Sequence, residues 1–465
     1  MSKLNAAMTT RGQPGPDKGP PEPGDSGEAA KDLPRDVLST EANEQKENPG
    51  QNERLMEQVA DPANLNAAWR KVRGNGGAPG IDGITVEAFL EHAKPRAETL
   101  RKELLEGSYR PNPLRRVRIP KPSGGERKLS IPTVQDRVVQ QAILQVLQPI
   151  LDPSFSEHSY GFRPGRSAHQ AVAAAQGYIQ QGYDWTVDLD LEAFFDRVSH
   201  DRLMSRLGRR IADKRMCWII RRFLRAGVME EGWVKPTKEG APQGGPLSPL
   251  LSNLVLDELD KELERRGLRF VRYADDANVY VRSERAAANA FENLIGFIEG
   301  KLKLKVNRAK SAVARPSERK FLGFSFTPGK SAKRRIAPKA LAKAKARIRE
   351  LTKEGRRNFQ AVMAELGRYL IGWLGYFRFA QTPSVLKELE EWTRRRLRRL
   401  IWRQWKRGRT RFAELVKRGA DRQEAAKLAG SSDGPWHISR TPLMHQIFPK
   451  PWFASYGLPS FHAPA

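Results

Sequence analysis

Leu268 to Ser283 reads LRFVRYADDANVYVRS. Val271 and Tyr273 before the acids, and Val279 and Val281 after them, keep the period-two alternation of a strand. Asp275 and Asp276 interrupt it. Adjacent carboxylates repel, and a strand is a poor place for them. The stretch therefore reads as a hairpin with both aspartates in its connection. Asp is a good turn residue in its own right. Turn propensity leaves unexplained why DWTVDLDLEAFFDRVSHDRL (184–203) also places acids at a strand end. There Val187 and Leu189 share one face, and Asp188 and Asp190 the other. Carboxylates from separate strands can converge on divalent cations. Mg²⁺ takes oxygen ligands and bridges a few carboxylates to substrate phosphates. Two such ions, about 3.5–4 Å apart, activate an attacking hydroxyl and stabilise the leaving oxygen. Their charge also removes the repulsion within the Asp-Asp pair.

The rest of the chain says what such a site would act on. Lys and Arg number 82 against 53 Asp and Glu, a net charge of +29, which points to a polyanionic partner, nucleic acid ahead of membrane. No apolar run is long enough to span a bilayer and no signal core opens the chain, so a cytoplasmic (bacterial cytoplasm or nucleoid) location is expected. The single cysteine, Cys217, excludes an intramolecular disulfide and a cysteine-rich zinc module.

Residues 1–54 are expected to form a disordered leader, because a Pro-, Gly- and Glu-rich segment buries too little apolar surface to fold. Arg115–Pro132 reads as two strands around a Ser-Gly-Gly turn, and Pro120, Pro122 and Pro132 argue for edge strands. A helix follows with Thr133 as N-cap and Val134, Val138, Ala142, Val146 and Ile150 at helical spacing. Ser248–Gly267 is a second long helix, stopped by Gly267. The fold class is α+β. From Ala337 the chain is helical and basic. Ten of the residues between Arg394 and Arg411 are Arg or Lys and none is acidic, and Leu397, Leu400, Ile401 and Trp405 form an apolar stripe beneath them. The proline-rich end reads as an irregular appendage.

These segments resemble the reverse transcriptases of group II introns. YADD (273–276) resembles the catalytic tetrapeptide, DLEAFFD (190–196) the first palm motif and APQGGPLSPLLSN (241–253) the second. LKLKVNRAKS (302–311) and FLGFSF (321–326) resemble the two blocks that follow. APGIDGITVEAF, IPKPSGGERKLSIPTVQDRVVQQAI and HSYGFRPGRSAHQAV resemble finger blocks, and YLIGWLGYFRFAQTP (369–383) resembles domain X. The resemblance implies a right-hand polymerase: fingers over 55–184 and palm over 185–335, both of antiparallel sheet plus helices, then an α-helical thumb (domain X) over 336–412. Residues 413–465 would be a DNA-binding-like appendage without an endonuclease.

It also implies roles. Asp190, Asp275 and Asp276 would be catalytic and hold two Mg²⁺ ions; Asp188 is read as an ordinary polar residue. Lys121 and Arg127 would grip the triphosphate. Phe195 would lie under the incoming sugar, Gln243 and Gly244 would border the nucleotide, and Lys310 would donate a proton to pyrophosphate or neutralise charge. Arg394, Arg395 and Arg398 would bind RNA. The expected activity is RNA-directed DNA synthesis that copies an intron, with help to its splicing and mobility. The expected partners are group II intron RNA, an RNA template with DNA primer, a DNA target and dNTPs. A splicing cofactor with a decayed polymerase and a retron-type or defence reverse transcriptase are the alternatives. Loss of an aspartate or of the QGG loop would mark the first, and absence of the finger blocks and domain X the second.

Overall fold

The computed structural model describes residues 54–93, 96–120, 125–230, 232–353 and 358–461. They fall into two compact units, within Ala42–Leu322 and Gly323–Ala465. Apart from Arg54, the leader expected over 1–54 lies outside the described residues.

The first unit is built around a four-stranded antiparallel sheet. Its strands are β3 (Trp185–Leu189), β6 (Arg269–Tyr273), β7 (Asp276–Val281) and β8 (Ala312–Ala314), in the order β6-β7-β3-β8. The register puts Phe270 opposite Val279, Val279 opposite Val187 and Val187 opposite Val313. One apolar row thus crosses all four strands. Phe270, Val279 and Val187 are fully buried, and Val313 packs on the same core. Helix Glu284–Phe297 starts where Ser283 Oγ accepts the Ala286 N–H, and contributes Ala287, Leu294 and Ile295 to that core. Helix Ser248–Arg265 ends just before Gly267, whose φ of +64° suits glycine.

A second sheet comprises β1 (Leu114–Pro120), β2 (Glu126–Ile131), β4 (Val228–Glu230) and β5 (Trp233–Lys235), in the order β2-β1-β4-β5. β1 and β2 are antiparallel, as expected. However, β1 is not an edge strand. It also pairs in parallel with β4, through Leu114 and Arg115 alone. Pro120 sits at the far end of β1, beyond that pairing, so the missing N–H costs the sheet nothing there. Helix Val134–Leu151 begins where Thr133 Oγ1 accepts the Asp136 N–H at 3.1 Å.

The second unit holds a two-stranded antiparallel sheet, β9 (Phe324–Phe326) with β10 (Arg334–Ile336), followed by helices. The longest are Pro338–Leu351, Phe359–Phe377 and Pro383–Gln404. Leu397, Leu400, Ile401 and Trp405 are buried, as their spacing predicts. The C-terminal stretch differs from the irregular appendage expected. It forms short helices Pro435–Ile438, Pro442–Ile447 and Lys450–Ser455, each with proline in its first turn. Proline there loses no helical hydrogen bond and sets φ in advance. Met444, Phe448, Phe453 and Phe461 are fully buried, so this stretch belongs to the unit's core.

Among the described residues no helix is long and apolar enough to cross a membrane. Phe270→Ala should destabilise the first unit by about 3–5 kcal/mol, because it opens a cavity where the largest, fully buried side chain of the apolar row had been. Urea unfolding followed by circular dichroism measures it.

Candidate catalytic centre

Tyr273 pairs with Asp276, which leaves Ala274 and Asp275 as a two-residue turn. Asp276 is therefore the first residue of β7 and not part of the connection, so the strand starts one position earlier than the sequence suggested. Ala274 takes φ +57°, a left-handed conformation that costs a non-glycine residue about 1–2 kcal/mol. β7 continues the register onto β3, with Asn278 opposite Asp188 and Ala277 opposite Leu189. The ladder ends on that pair, and Asp190 follows Leu189 while Asp276 precedes Ala277. Directly opposed residues share a face, so Asp188, Asp190 and Asp276 belong to the side away from the apolar row. Asp190 is anchored by its backbone: its N–H donates to Ser311 Oγ at 2.9 Å, and its carbonyl accepts the Asn307 N–H at 2.8 Å.

Asp275 and Asp276 are exposed to solvent, yet protein surrounds them closely enough to weaken their hydration. Groups on the floor of a cleft show this combination. Desolvation raises the Asp275 carboxyl and the charge of Asp190 adds to it, while Arg127 and Arg272 oppose. Asp276 is pushed up to about 7, first by desolvation and then by the charges of Asp188 and Asp275, with Lys320 opposing. Lys310 Nζ stands 3.8 Å from Asp190 Oδ1 and is largely exposed. Asp188, read from sequence as an ordinary polar residue, is a buried carboxylate on β3. Its Oδ2 accepts from Arg319 Nε and Nη2 at 2.9 and 2.6 Å. Sequence reasoning passed over Arg319 and Lys320, because no spacing rule ties them to a strand so far upstream.

This donor set fits a divalent cation. It offers mutually repelling carboxylates, one of which, Asp276, is pushed up to about 7 by desolvation and by its acidic neighbours. Among the described residues no three or more His, Cys, Asp or Glu side chains are gathered closely enough to hold a metal ion by themselves. A Mg²⁺ site on one or two carboxylates does not require such a group, since water and substrate phosphate complete its octahedron.

The residues expected around a nucleotide are divided. Phe195 and Gln243 line a cavity of about 280 Å³ together with Arg116, Lys128 and Ser130. Arg127 stands opposite Ile119 on β2, on the other side of the strand from Lys128, and its charge reaches Asp275. Gly244 has φ +136°, and a Cβ there would lie 2.6 Å from the Ser130 carbonyl oxygen. Its close approach is thus to β2, where the Ser130 N–H also donates to the Gln243 carbonyl at 2.9 Å. Arg116 and Lys128 were missed; they lie on the same face of the β1–β2 ladder, a pattern visible once the strands are aligned. Lys121 lies outside the described residues.

The arginines expected to bind RNA need correction. Arg398 is 4% exposed. Its Nε donates to the Phe448 carbonyl, its Nη1 lies 3.1 Å from His445 Nε2, and burial pulls its pKa down to about 10. It serves the interior of the second unit. Arg394 is 2.9 Å from Glu390 and mostly covered. Arg395 lies over the Trp436 ring at 3.9 Å and donates to the Trp436 carbonyl. The cause is helical geometry: Arg394 and Arg398 lie three or four residues from Leu397, Ile401 or each other, inside the apolar stripe. Exposed cations lie further on, at Lys406, Arg407 and Arg409.

Comparison with known proteins defines the class. Residues 119–326 match the reverse transcriptase (RNA-dependent DNA polymerase) family, and residues 341–419 match the maturase-specific domain of group II introns. The chain belongs to the reverse transcriptases encoded by group II introns. It is 34% identical to Protein YkfC of Escherichia coli (strain K12) over 314 residues, covering 59% of this chain and 81% of that one. It is 35% identical to group II intron-encoded protein LtrA of Lactococcus lactis subsp. cremoris over 222 residues, covering 47% of this chain and 36% of LtrA. The chain thus spans most of the first relative and about a third of the second. Among solved structures, a partial Cas6-RT-Cas1--Cas2 complex matches at TM-score 0.35 and 28% identity, covering 54% of this chain and 42% of that one.

A pH dependence follows from Asp276. Its carboxyl ionises near 3.9 when unfolded and at about 7 when folded, so the folded state binds the extra proton between those values. Its contribution to stability is intact below about pH 4 and is lost as pH rises through 7. Metal-free Asp276→Asn should lose less melting temperature than wild type between pH 5 and pH 8, and Mg²⁺ should narrow the difference. Thermal melts at both pH values decide it; equal pH dependence in both proteins would mean an ordinary carboxylate.

Proposed function

We propose that this centre performs RNA-templated DNA synthesis by nucleotidyl transfer, with Asp190, Asp275 and Asp276 as ligands of two Mg²⁺ ions. The supporting observation is that the β3–β7 ladder ends on the pair Leu189–Ala277, with Asp190 and Asp276 next to that pair, and that the charge of Asp190 acts on both Asp275 and Asp276. Bound Mg²⁺ supplies the charge that activates a primer hydroxyl and steadies departing pyrophosphate. Lys310 offsets charge at Asp190 and is placed to neutralise, or pass a proton to, that pyrophosphate. Arg127, with Lys121 by resemblance, holds the triphosphate. Phe195 excludes a 2′-hydroxyl from the incoming sugar, and Gln243 and Gly244 border the nucleotide. In this reading residues 55–184 are fingers, 185–335 palm, 336–412 thumb and 413–465 a DNA-contacting extension.

The maturase-specific match supports intron RNA as the partner and help to splicing and mobility as a second role. Lys406, Arg407 and Arg409 carry the exposed charge for that contact.

Two experiments test these assignments. In primer extension on an RNA template with Mg²⁺ and dNTPs, Asp275→Ala should reduce incorporation to background. Its RNA affinity should change by no more than about twofold, because phosphate neutralisation elsewhere carries binding. Parallel collapse of both would make Asp275 structural, and an inactive wild type that still binds RNA would favour a splicing cofactor. Replacing Lys406, Arg407 and Arg409 together with Gln should weaken RNA binding and flatten its log–log salt slope by about 0.7 per lost phosphate contact. An unchanged slope would place the RNA elsewhere.

A further inference from the structure

Arg272 stands two residues before the turn residue Ala274, on the face of β6 turned away from the aspartates, and is 1% exposed. All five N–H groups of its guanidinium are used. Nε donates to Asp260 Oδ1 at 2.7 Å, and Nη2 donates to Asp260 Oδ2 at 2.5 Å and to Ser159 Oγ at 2.7 Å. Nη1 donates to Asn253 Oδ1 at 3.0 Å and to the Ala274 carbonyl at 2.9 Å. Its backbone completes a bridge, donating to the His158 carbonyl and accepting from the Tyr160 N–H, both at 2.9 Å.

One side chain therefore ties together helix Ser248–Arg265, the segment around 158–161 and the turn that carries Asp275. The same segment closes on the turn from another side. Asn253 is fully buried and donates to the Gly161 carbonyl at 2.9 Å. A Cβ on Gly161 would lie 2.3 Å from the Ala274 nitrogen.

A buried arginine–aspartate pair is by itself weak grounds for anything beyond folding, since well-packed apolar residues often replace such pairs without loss. The fifth bond is what differs. It ends on the carbonyl of the one residue in the turn with left-handed backbone, immediately before Asp275. The planar guanidinium fixes the directions of its donors, so holding Asp260, Asn253 and Ser159 also fixes where the Ala274 carbonyl must be.

We propose that Arg272 is a positioning residue for polymerisation: by clamping the Ala274 carbonyl it holds the left-handed turn and sets the direction of the Asp275 carboxylate. This rests on the reading of the aspartates as metal ligands. Lysine can keep the charge opposite Asp260, but its three donors leave one nitrogen and cannot also reach the turn.

Arg272→Lys should lower kcat by about 100-fold with little change in the KM for dNTP. It should raise the Mg²⁺ concentration for half-maximal rate by about 10-fold or more, as loss of an outer support to a metal ligand does. Adding Ala274→Gly, which takes positive φ without steric cost, should recover part of that loss. Ser159→Ala removes one of the five bonds but not the one to the turn. It should lower the melting temperature and move the Mg²⁺ requirement much less than Arg272→Lys does. If Arg272→Lys does not fold, Arg272→Met with Asp260→Leu removes both buried charges together and should show the same loss of rate and Mg²⁺ response. Unchanged kcat and Mg²⁺ requirement in a folded variant, or no recovery with Ala274→Gly, would overturn the proposal. Amide hydrogen exchange separates its fate from that of the polymerase reading. Faster exchange confined to Tyr273–Ala277 in Arg272→Lys would support the clamp even if the wild type incorporated no nucleotide, and unchanged exchange would reject it.

Discussion

Mutual repulsion among carboxylates is the constraint around which the first unit is organised. Asp275 and Asp276 are adjacent, and Asp188 and Asp190 arrive from a neighbouring strand. Asp188 is neutralised internally by Arg319. The other three are left to face solvent, with Lys310 alongside Asp190 and Arg127 acting on Asp275. The scaffold holds this unfavourable arrangement because the opposite face of the same strands is apolar and fully packed. Phe270, Val279 and Val187 fix the register, and the register fixes the aspartates. Stability and electrostatic stress thus occupy opposite faces of one sheet.

Much of this was legible in the sequence because it is local. The hairpin, the Thr133 cap, the helix end at Gly267 and the shared face of Asp188 and Asp190 follow from periodicities and turn chemistry acting over a few residues. What was not legible depends on contacts between distant segments. Arg319 finds Asp188 across the sheet, and Arg272 finds Asp260, Asn253 and Ser159 on two other elements. The two-residue parallel pairing that makes β1 an inner strand leaves no pattern in Leu114–Pro120.

The basic second unit carries a related lesson. Charge density pointed to nucleic acid, but charge count does not say which cations face outward. Arg398 is buried among Phe448, Phe453 and His445, and Arg395 stacks on Trp436. Arginine does this more readily than lysine because its guanidinium is weakly hydrated and flat enough to stack. Part of the surplus is therefore structural cement for the C-terminal helices, while the outward charge includes Lys406, Arg407 and Arg409 beyond the end of helix Pro383–Gln404.

The alternation of β3 and β7 has a consequence for how this chain can vary. Point substitutions in these strands trade one side chain for another and leave their neighbours in place. Losing a single codon between Asp276 and Val281 would instead turn every following residue over, presenting valines to the cleft and polar groups to the core. The lineage should therefore accept many replacements here but almost no gaps, with length changes confined to the loops between elements.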